Sequence, residues 1–479
     1  MIALLGLVAA WQLTHLGGFA WDYDEGVHLM QARMLRNGYR LYTDIYTDQP
    51  PLLVSTLAAG FAIVGESVTG GRAMCVLYNL VGLGAVGWIA QRLRGGLAGA
   101  CAVALLSVSP EILQHARVIT GNLPAGSMAA LAVAFALGYL WEGKVLLIPL
   151  AGTSFALSLL VKPTSAGAIV SLIVAVLGGN VVHGRARTWR ASMVRSGPLV
   201  LSVVLVLVAG LVLHDWRGFS EQVVSQYRQA RVVFPLDVQT NAQIVGGFLW
   251  ENIGLLALAA YGCFVLPNDM RTGGALVGAW AAGELTLRLV HSPLWPGHLP
   301  PILLPLGVLS GVGLSSAIER GVEVLHGRRR FDWLTGVGLS MILLLVINLP
   351  ELVRLDGQLL RAPVNEGEDE VVTLLAQVTD SGDYVITDNQ MAAFRAGCLV
   401  PPGLCNTSIK RILTGNLTAD QVIDASEAFQ PRAVLLWSCC RLLRLEDYVM
   451  YVVKNYQLAY SAPLRPLPRG LYVREGVGE

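Results

Sequence analysis

The chain is short of charge. Only 14% of its 479 residues are Asp, Glu, Lys or Arg, about half the roughly 25% of a soluble globular protein. Hydrophobic residues make up 54%, and mean hydropathy is +0.56. No soluble domain could bury that much apolar surface, so a soluble enzyme and a disordered chain are both excluded. The net charge of +1 provides no field that would recruit nucleic acid. Lysine is scarce: Lys144, Lys162, Lys410 and Lys454 are the only four. Seven cysteines are too few for a disulfide scaffold, and none falls in a zinc-like Cys/His spacing. Cys75, Cys101 and Cys263 sit in apolar runs, whereas Cys398, Cys405, Cys439 and Cys440 lie in the last quarter, where their pairing is open. There is no P-loop, no G-x-G-x-x-G and no solenoid-period repeat.

What is there is a succession of long apolar runs, the mark of a polytopic membrane protein. Candidate spans are 1–20, 72–90, 95–111, 124–140, 145–161, 163–181, 197–214, 247–266, 274–291, 299–317 and 333–350. The first reads as a retained span and not as a cleaved signal. The run 51–67 opens with Pro50-Pro51 and is cut by Gly60 and Gly65, so it is taken as interfacial. With the N-terminus inside, the inside loops then hold 12 Lys and Arg in 46 residues, about three times the density outside. Making 51–67 a span would turn the clusters at Arg92, Arg185–Arg195 and Arg328–Arg330 outward. The expectation is therefore eleven spans, N-terminus in and C-terminus out.

From Glu351 the composition changes to 16 acidic and 12 basic residues in 129. Strand-like runs at 384–386 and 433–437 alternate with helix-like runs at 369–378, 419–429 and 446–456. Alternation of this kind predicts a small α/β unit. The fold class expected is an all-α polytopic membrane domain over 1–350, with a small extracytoplasmic α/β domain over 351–479.

The first outside loop, 21–71, is the richest stretch. It opens with Trp21-Asp22-Tyr23-Asp24-Glu25-Gly26-Val27-His28, continues through Leu41-Tyr42-Thr43-Asp44, and reaches Asp48-Gln49-Pro50-Pro51-Leu52. Residues 25–37 read as a short amphipathic helix stopped by Gly38. Asp22-x-x-Glu25 fits a capping box, and acids at a helix start suit its dipole. Three acids and His28 exceed what a cap needs, and a carboxylate at a membrane surface can deprotonate a hydroxyl or amine, or ligate a metal.

This order of motifs resembles the lipid-dependent membrane glycosyltransferases of the C-type fold. The similar branches are the aminoarabinose transferases, the protein mannosyltransferases and the related bacterial lipopolysaccharide-core transferases. The features that carry the resemblance are Asp24-Glu25 after the first span, the short helix, Tyr42-x-Asp44, Pro50-Pro51-Leu52 and Arg72 at the head of the next span. In the tail they are Ile386-Thr387-Asp388-Asn389-Gln390, Val400-Pro401-Pro402 and Asn406-Thr407-Ser408.

The resemblance implies transfer of a sugar from a polyprenyl-phosphate donor to a lipid, glycan or protein acceptor at the outer face. Asp24 would be the catalytic base, with Glu25 ranked second. Tyr42, Asp44 and Gln49 belong to the same substrate-facing loop. Two departures stand out: Gln49 replaces the lysine usual before Pro-Pro-Leu, and Asn122 replaces a second-loop acid. They argue against a two-carboxylate metal site. No cofactor is assigned, and a divalent cation is left open.

The donor phosphate needs cations near the outer surface. The candidates are Arg72, Arg117, Lys162, Arg228, Arg231 and Arg288, with His298 in the Pro-rich loop 293–300 as a further substrate contact. A transporter or lipid flippase, or an inactive scaffold of the same fold, is the rival reading. A transporter would set its charges near the membrane midplane, whereas here they gather at the outer ends.

Overall fold

The computed structural model describes residues 1–14, 16–17, 22–361, 367–462 and 469–474. The first four helices are α1 (Ile2–Leu13), α2 (Tyr23–Arg36), α3 (Leu52–Val64) and α4 (Val68–Arg94). The Ser67 side chain caps α4 by accepting from Gly70 N. α3 has 13 residues where a span needs about 20, so the run 51–67 is too short to cross a bilayer as a helix. Next come α5 (Gly96–Ser107), α6 (Pro110–Ala116), α7 (Asn122–Glu142) and α8 (Leu147–Val161).

Six helices among the described residues are long and apolar enough to cross a membrane. They are Val68–Arg94, Asn122–Glu142, Pro163–Val182, Trp189–Val212, Pro296–Leu325 and Trp333–Gln358. The number rises to eight if two bent pairs count as one span each: α5 with α6, bent by 74°, and Val238–Glu251 with Ile253–Val265, bent by 81°. Pro110, the first residue of α6, explains the first bend: it cannot donate a helical hydrogen bond, and it pushes Ser109 into an extended conformation (φ −69°, ψ 124°).

The expected runs 1–20 and 145–161 contain only the shorter helices α1 and α8, and 274–291 overlaps the helix Arg271–Leu289, which carries Glu284 and Arg288. The last span runs through Pro350 to Arg361, past the expected boundary at 350.

Beyond it the chain forms the helix Glu368–Val378 and a four-stranded sheet of order β1-β2-β4-β3: β1 (Val385–Thr387), β2 (Ala433–Leu436), β3 (Tyr456–Ala462) and β4 (Arg469–Arg474). β1 and β2 are parallel, joined by a crossover that holds the helices Gln390–Arg395, Ile409–Leu413 and Ala419–Phe429. β4 pairs antiparallel with both β2 and β3. Thr418 and Gln421 cap the helix Ala419–Phe429 reciprocally. Cys398 and Cys405 are buried free thiols, and no disulfide joins the described cysteines.

The packing of α2 positions the site. One core cluster lies among the spans. A second joins Leu29, Met30 and Met34 of α2 and Leu57 and Phe61 of α3 to Met391, Phe394 and Leu404 of the C-terminal part. The first loop and the tail therefore share one hydrophobic core. Gly26 makes the approach possible, since a Cβ there would collide with the Met391 backbone nitrogen. Arg33 seals the contact by donating to the Cys398 carbonyl at 3.0 Å and to Glu66 at 2.8 Å, while its guanidinium lies 4.0 Å from the Phe394 ring centre.

Candidate active site at the head of the first loop

The site has a closed floor and a polar mouth. The floor is built on Glu25, which is fully buried. Its Oε1 accepts from Arg72 Nε at 2.8 Å and from Ile119 N at 3.0 Å, and its Oε2 accepts from Arg72 Nη2 at 2.7 Å and from Asp22 N at 3.3 Å. Arg72, also fully buried, donates further to the Leu16 carbonyl at 2.5 Å. One bidentate pair thus ties α2 to α4, to the second loop and to the end of the first helical region. Arg117 does similar work alongside, donating to the Gln12 carbonyl at 3.0 Å and the Trp11 carbonyl at 2.8 Å at the end of α1.

Asp22 and Glu25 form the capping box, and the Asp22 carboxylate accepts from Asp24 N at 2.8 Å. Enclosure by the surrounding protein, then repulsion from Asp24, raises the Asp22 carboxyl to about 6, although its surface still touches solvent. The partly exposed Asp24 carboxylate makes no ion pair or hydrogen bond with the described residues, and it acts electrostatically on both Lys162 and His28. Its place on the first turn of α2 lets it face the mouth while Glu25, one residue on, points into the floor.

Lys162 stands in the break between α8 and the 3-10 turn Pro163–Ala168. Burial lowers its ammonium below the ordinary lysine value, while Asp24, Asp48 and Asp22 oppose the shift. Its stem crosses Gly121 beside Gln49: a Cβ on Gly121 would sit 3.2 Å from Lys162 Cδ and 3.4 Å from Gln49 Oε1. Asn122, next in sequence, is buried and accepts from the Thr164 hydroxyl at 3.4 Å. His28 is buried on α2 one turn after Asp24. Desolvation keeps it neutral more readily than a free histidine, and its Nε2 has no partner among the described residues.

Arg288 closes another side. It pairs with Glu284 at 2.8 Å, donates to the His298 carbonyl at 2.9 Å and reaches the Thr164 carbonyl beside Lys162. Its Nη2 is buried with no partner among the described residues. His298 stacks edge-on against His291 at 4.9 Å.

Tyr42 and Asp44 serve the loop itself. Tyr42 adopts φ 66°, rare for a bulky residue, and its hydroxyl donates to the Gln49 carbonyl at 2.8 Å. Its own carbonyl accepts from Gln222 Nε2 at 2.9 Å. Asp44 is exposed and accepts from Arg40 N at 2.8 Å, closing the turn. Arg228 and Arg231 lie on the exposed face of the helix Gln226–Val233, where Arg231 lies over the Tyr227 ring.

Sequence reasoning quoted Asn406-Thr407-Ser408 as a motif but missed the contacts by which the tail reaches the first loop. Lys410 pairs with Asp48, and Asn406 Nδ2 donates to the other Asp48 oxygen at 3.0 Å. Burial alone would raise the Asp48 carboxyl, but Lys410 brings it below its usual value. Arg411 lies 3.6 Å from the Tyr46 ring centre, Thr407 N donates to the Tyr23 hydroxyl at 2.9 Å, and Arg441 lies 3.4 Å from the Tyr23 ring centre. The available signal was scarcity: Lys410 is one of only four lysines. Among the described residues no group of three His, Cys, Asp or Glu is placed to hold a metal ion.

Comparison with known proteins agrees with this architecture. Residues 48–213 match the family model of dolichyl-phosphate-mannose-protein mannosyltransferases. No curated protein matches the chain in sequence. In structure the chain is similar to ArnT from Cupriavidus metallidurans bound to undecaprenyl phosphate, at 16% identity and TM-score 0.67, covering 100% of this chain and 99% of that one. It is also similar to the archaeal oligosaccharyltransferase AglB from Archaeoglobus fulgidus in complex with an inhibitory peptide and a dolichol-phosphate, at 13% identity and TM-score 0.55, covering 99% of this chain and 74% of that one. At such identities the likeness shows the fold, that of the C-type membrane glycosyltransferases. The family match covers about a third of the chain, and with the long apolar helices it fits a multi-pass membrane protein.

Proposed function

We propose that the protein transfers a sugar from a polyprenyl-phosphate donor to a lipid, glycan or protein acceptor at the extracytoplasmic face of the cell membrane. Asp24 takes the proton from the acceptor hydroxyl or amine as that atom bonds to the anomeric carbon. The bond from that carbon to the phosphate oxygen breaks, and its electron pair leaves with the polyprenyl phosphate. Lys162 and Arg288 hold the phosphate and offset the charge that builds on it. Arg72, Arg117 and Glu25 are positioning residues of the floor, and His298 and Gln49 line the mouth. The reading includes eleven spans, a cytoplasmic N-terminus, and an extracytoplasmic unit from about residue 351.

The observation that carries the reading is that a carboxylate without a side-chain partner, Asp24, shares the mouth with Lys162 while its neighbour Glu25 is consumed in the floor. A donor with a long apolar tail needs such a site at the membrane surface. A transporter would instead place its charges between repeats near the midplane. The test is sugar transfer by the purified full chain supplied with polyprenyl-phosphate sugars. Asp24→Asn is expected to lower turnover by about 10²–10⁴-fold with unchanged thermal unfolding. Full activity in that variant would remove Asp24 from the chemistry.

A further inference from the structure

The C-terminal part supplies a cation that the proposed reaction has not yet used. The short helix Ile409–Leu413 is fixed in place by its neighbours. Arg411 donates to the Gly403 carbonyl at 2.6 Å and the Asn406 carbonyl at 2.8 Å, Asn416 Nδ2 bonds Gln229 at 2.5 Å and also Gln226, and the Thr414 hydroxyl accepts from Gln226 Nε2 at 3.1 Å. This scaffold turns Lys410 toward the mouth, with its side chain 25% exposed and its ammonium on Asp48. Asp48 directly precedes Gln49, whose Oε1 is buried without a partner among the described residues and meets the Lys162 stem. Lys162, His291 and His298 all lie within the electrostatic reach of Lys410. Two of the chain's four lysines, one beside the spans and one from the tail, therefore act on the same Asp48 carboxylate.

We propose that Lys410 is a ligand of the lipid phosphate monoester, and that Asp48 holds its ammonium while the site is empty of phosphate. This rests on the polyprenyl-phosphate reading above. Asp22, Asp24 and Asp48 crowd the mouth, and Arg288 is already paired with Glu284 as Lys410 is with Asp48, so an incoming phosphate meets less repulsion if Lys410 turns to it. An ammonium has three donors on a flexible four-carbon stem, so Lys410 can keep one on Asp48 and offer the others, or leave Asp48 altogether.

The experiment measures binding of polyprenyl phosphate alone to the full chain in nanodiscs, by ligand-induced thermal shift. Unliganded unfolding is recorded for each variant. Lys410→Met is expected to weaken binding about tenfold or more, the worth of one charged hydrogen bond, and Lys410→Arg to restore part of it. Asp48→Asn releases the lysine and is expected to tighten binding severalfold. A purely structural ion pair predicts lower stability in both neutral variants and unchanged affinity in those that fold, and that result overturns the inference. Wild-type protein that fails to bind polyprenyl phosphate overturns the donor reading itself. Equal binding of phosphatidic acid would keep Lys410 as a lipid-phosphate ligand and overturn the polyprenyl donor.

Discussion

Asp24 and Glu25 are neighbours in sequence and opposites in structure. Glu25 has all its hydrogen-bonding capacity engaged by Arg72, Ile119 N and Asp22 N at the bottom of the cleft. Asp24 meets no such partner among the described residues, and its charge acts on Lys162. The difference comes from helix geometry. Successive residues diverge by about 100° around an α-helix axis, so the turn that buries one acid against α4 must direct the other elsewhere. Two acids at a helix start thus divide the labour, one fixing the loop and one open to substrate.

The sharpest way to break this comparison is to remove the floor. Glu25→Gln leaves Arg72 buried without its counter-charge, and a buried pair broken on one side costs about 3–5 kcal/mol. The expected result is a large fall in thermal stability, with activity lost through folding. The double variant with Arg72→Gln is expected to recover part of the loss. If Glu25→Gln folds normally and only turnover falls, Glu25 is the base and the roles of the two acids reverse.

The mouth is tested by Lys162→Met. Its charge meets the donor phosphate in ground and transition states alike, so the donor KM is expected to rise about tenfold with a smaller change in kcat. Because burial lowers the Lys162 pKa, the wild-type donor KM is also expected to rise at alkaline pH earlier than an ordinary lysine would cause. The variant should show a flat profile. A donor KM that does not move with either change would place the phosphate elsewhere.

The α2 start, the capping box, the shortness of α3 and the helix Ala419–Phe429 were all legible in the sequence, because each is signalled locally by Asp22-x-x-Glu25, Pro50-Pro51 with Gly65, or Thr418. β3 and β4 were not, since their pairing with β2 is set by partners distant in the chain. The Asp48–Lys410 pair escaped for the same reason: the residues are far apart in sequence and meet only because Gly26 lets the tail pack on α2. The closure of Glu25 also depended on Ile119 and Arg72, whose convergence no local pattern encodes.

A smaller effect separates the cap from the chemistry. Asn caps a helix as well as Asp, so Asp22→Asn should keep α2 and remove a charge crowded by Asp24. Stability at pH 7 is expected to hold within about 1 kcal/mol. The Asp22 carboxyl is raised to about 6 from 3.8, so the folded state holds a proton the unfolded chain has lost. Its contribution to stability is therefore full below about pH 4 and lost as pH rises through about 6. Unfolding of the variant should lack that slope, and an unchanged slope would assign it to another group.

The smallest effect expected is that of a chelator. A tightly held divalent ion needs several hard oxygen ligands, and the first loop's carboxylates are already spoken for. Glu25 is taken by Arg72, Asp48 by Lys410 and Asn406, Asp44 by the Arg40 turn, and Asp22 by the helix start. Asn122, where a second acid would stand, offers one weak oxygen already engaged by Thr164. Asp24 alone is a poor anchor for a metal, while Lys162 and Arg288 carry positive charge beside it. Sugar transfer assayed after EDTA treatment is expected to stay within about twofold of the untreated rate, a difference worth less than about 0.5 kcal/mol. Loss of activity restored by Mn²⁺ or Mg²⁺ would show that Asp24 meets a metal before it meets a proton, and the open acid of the pair would then be a ligand.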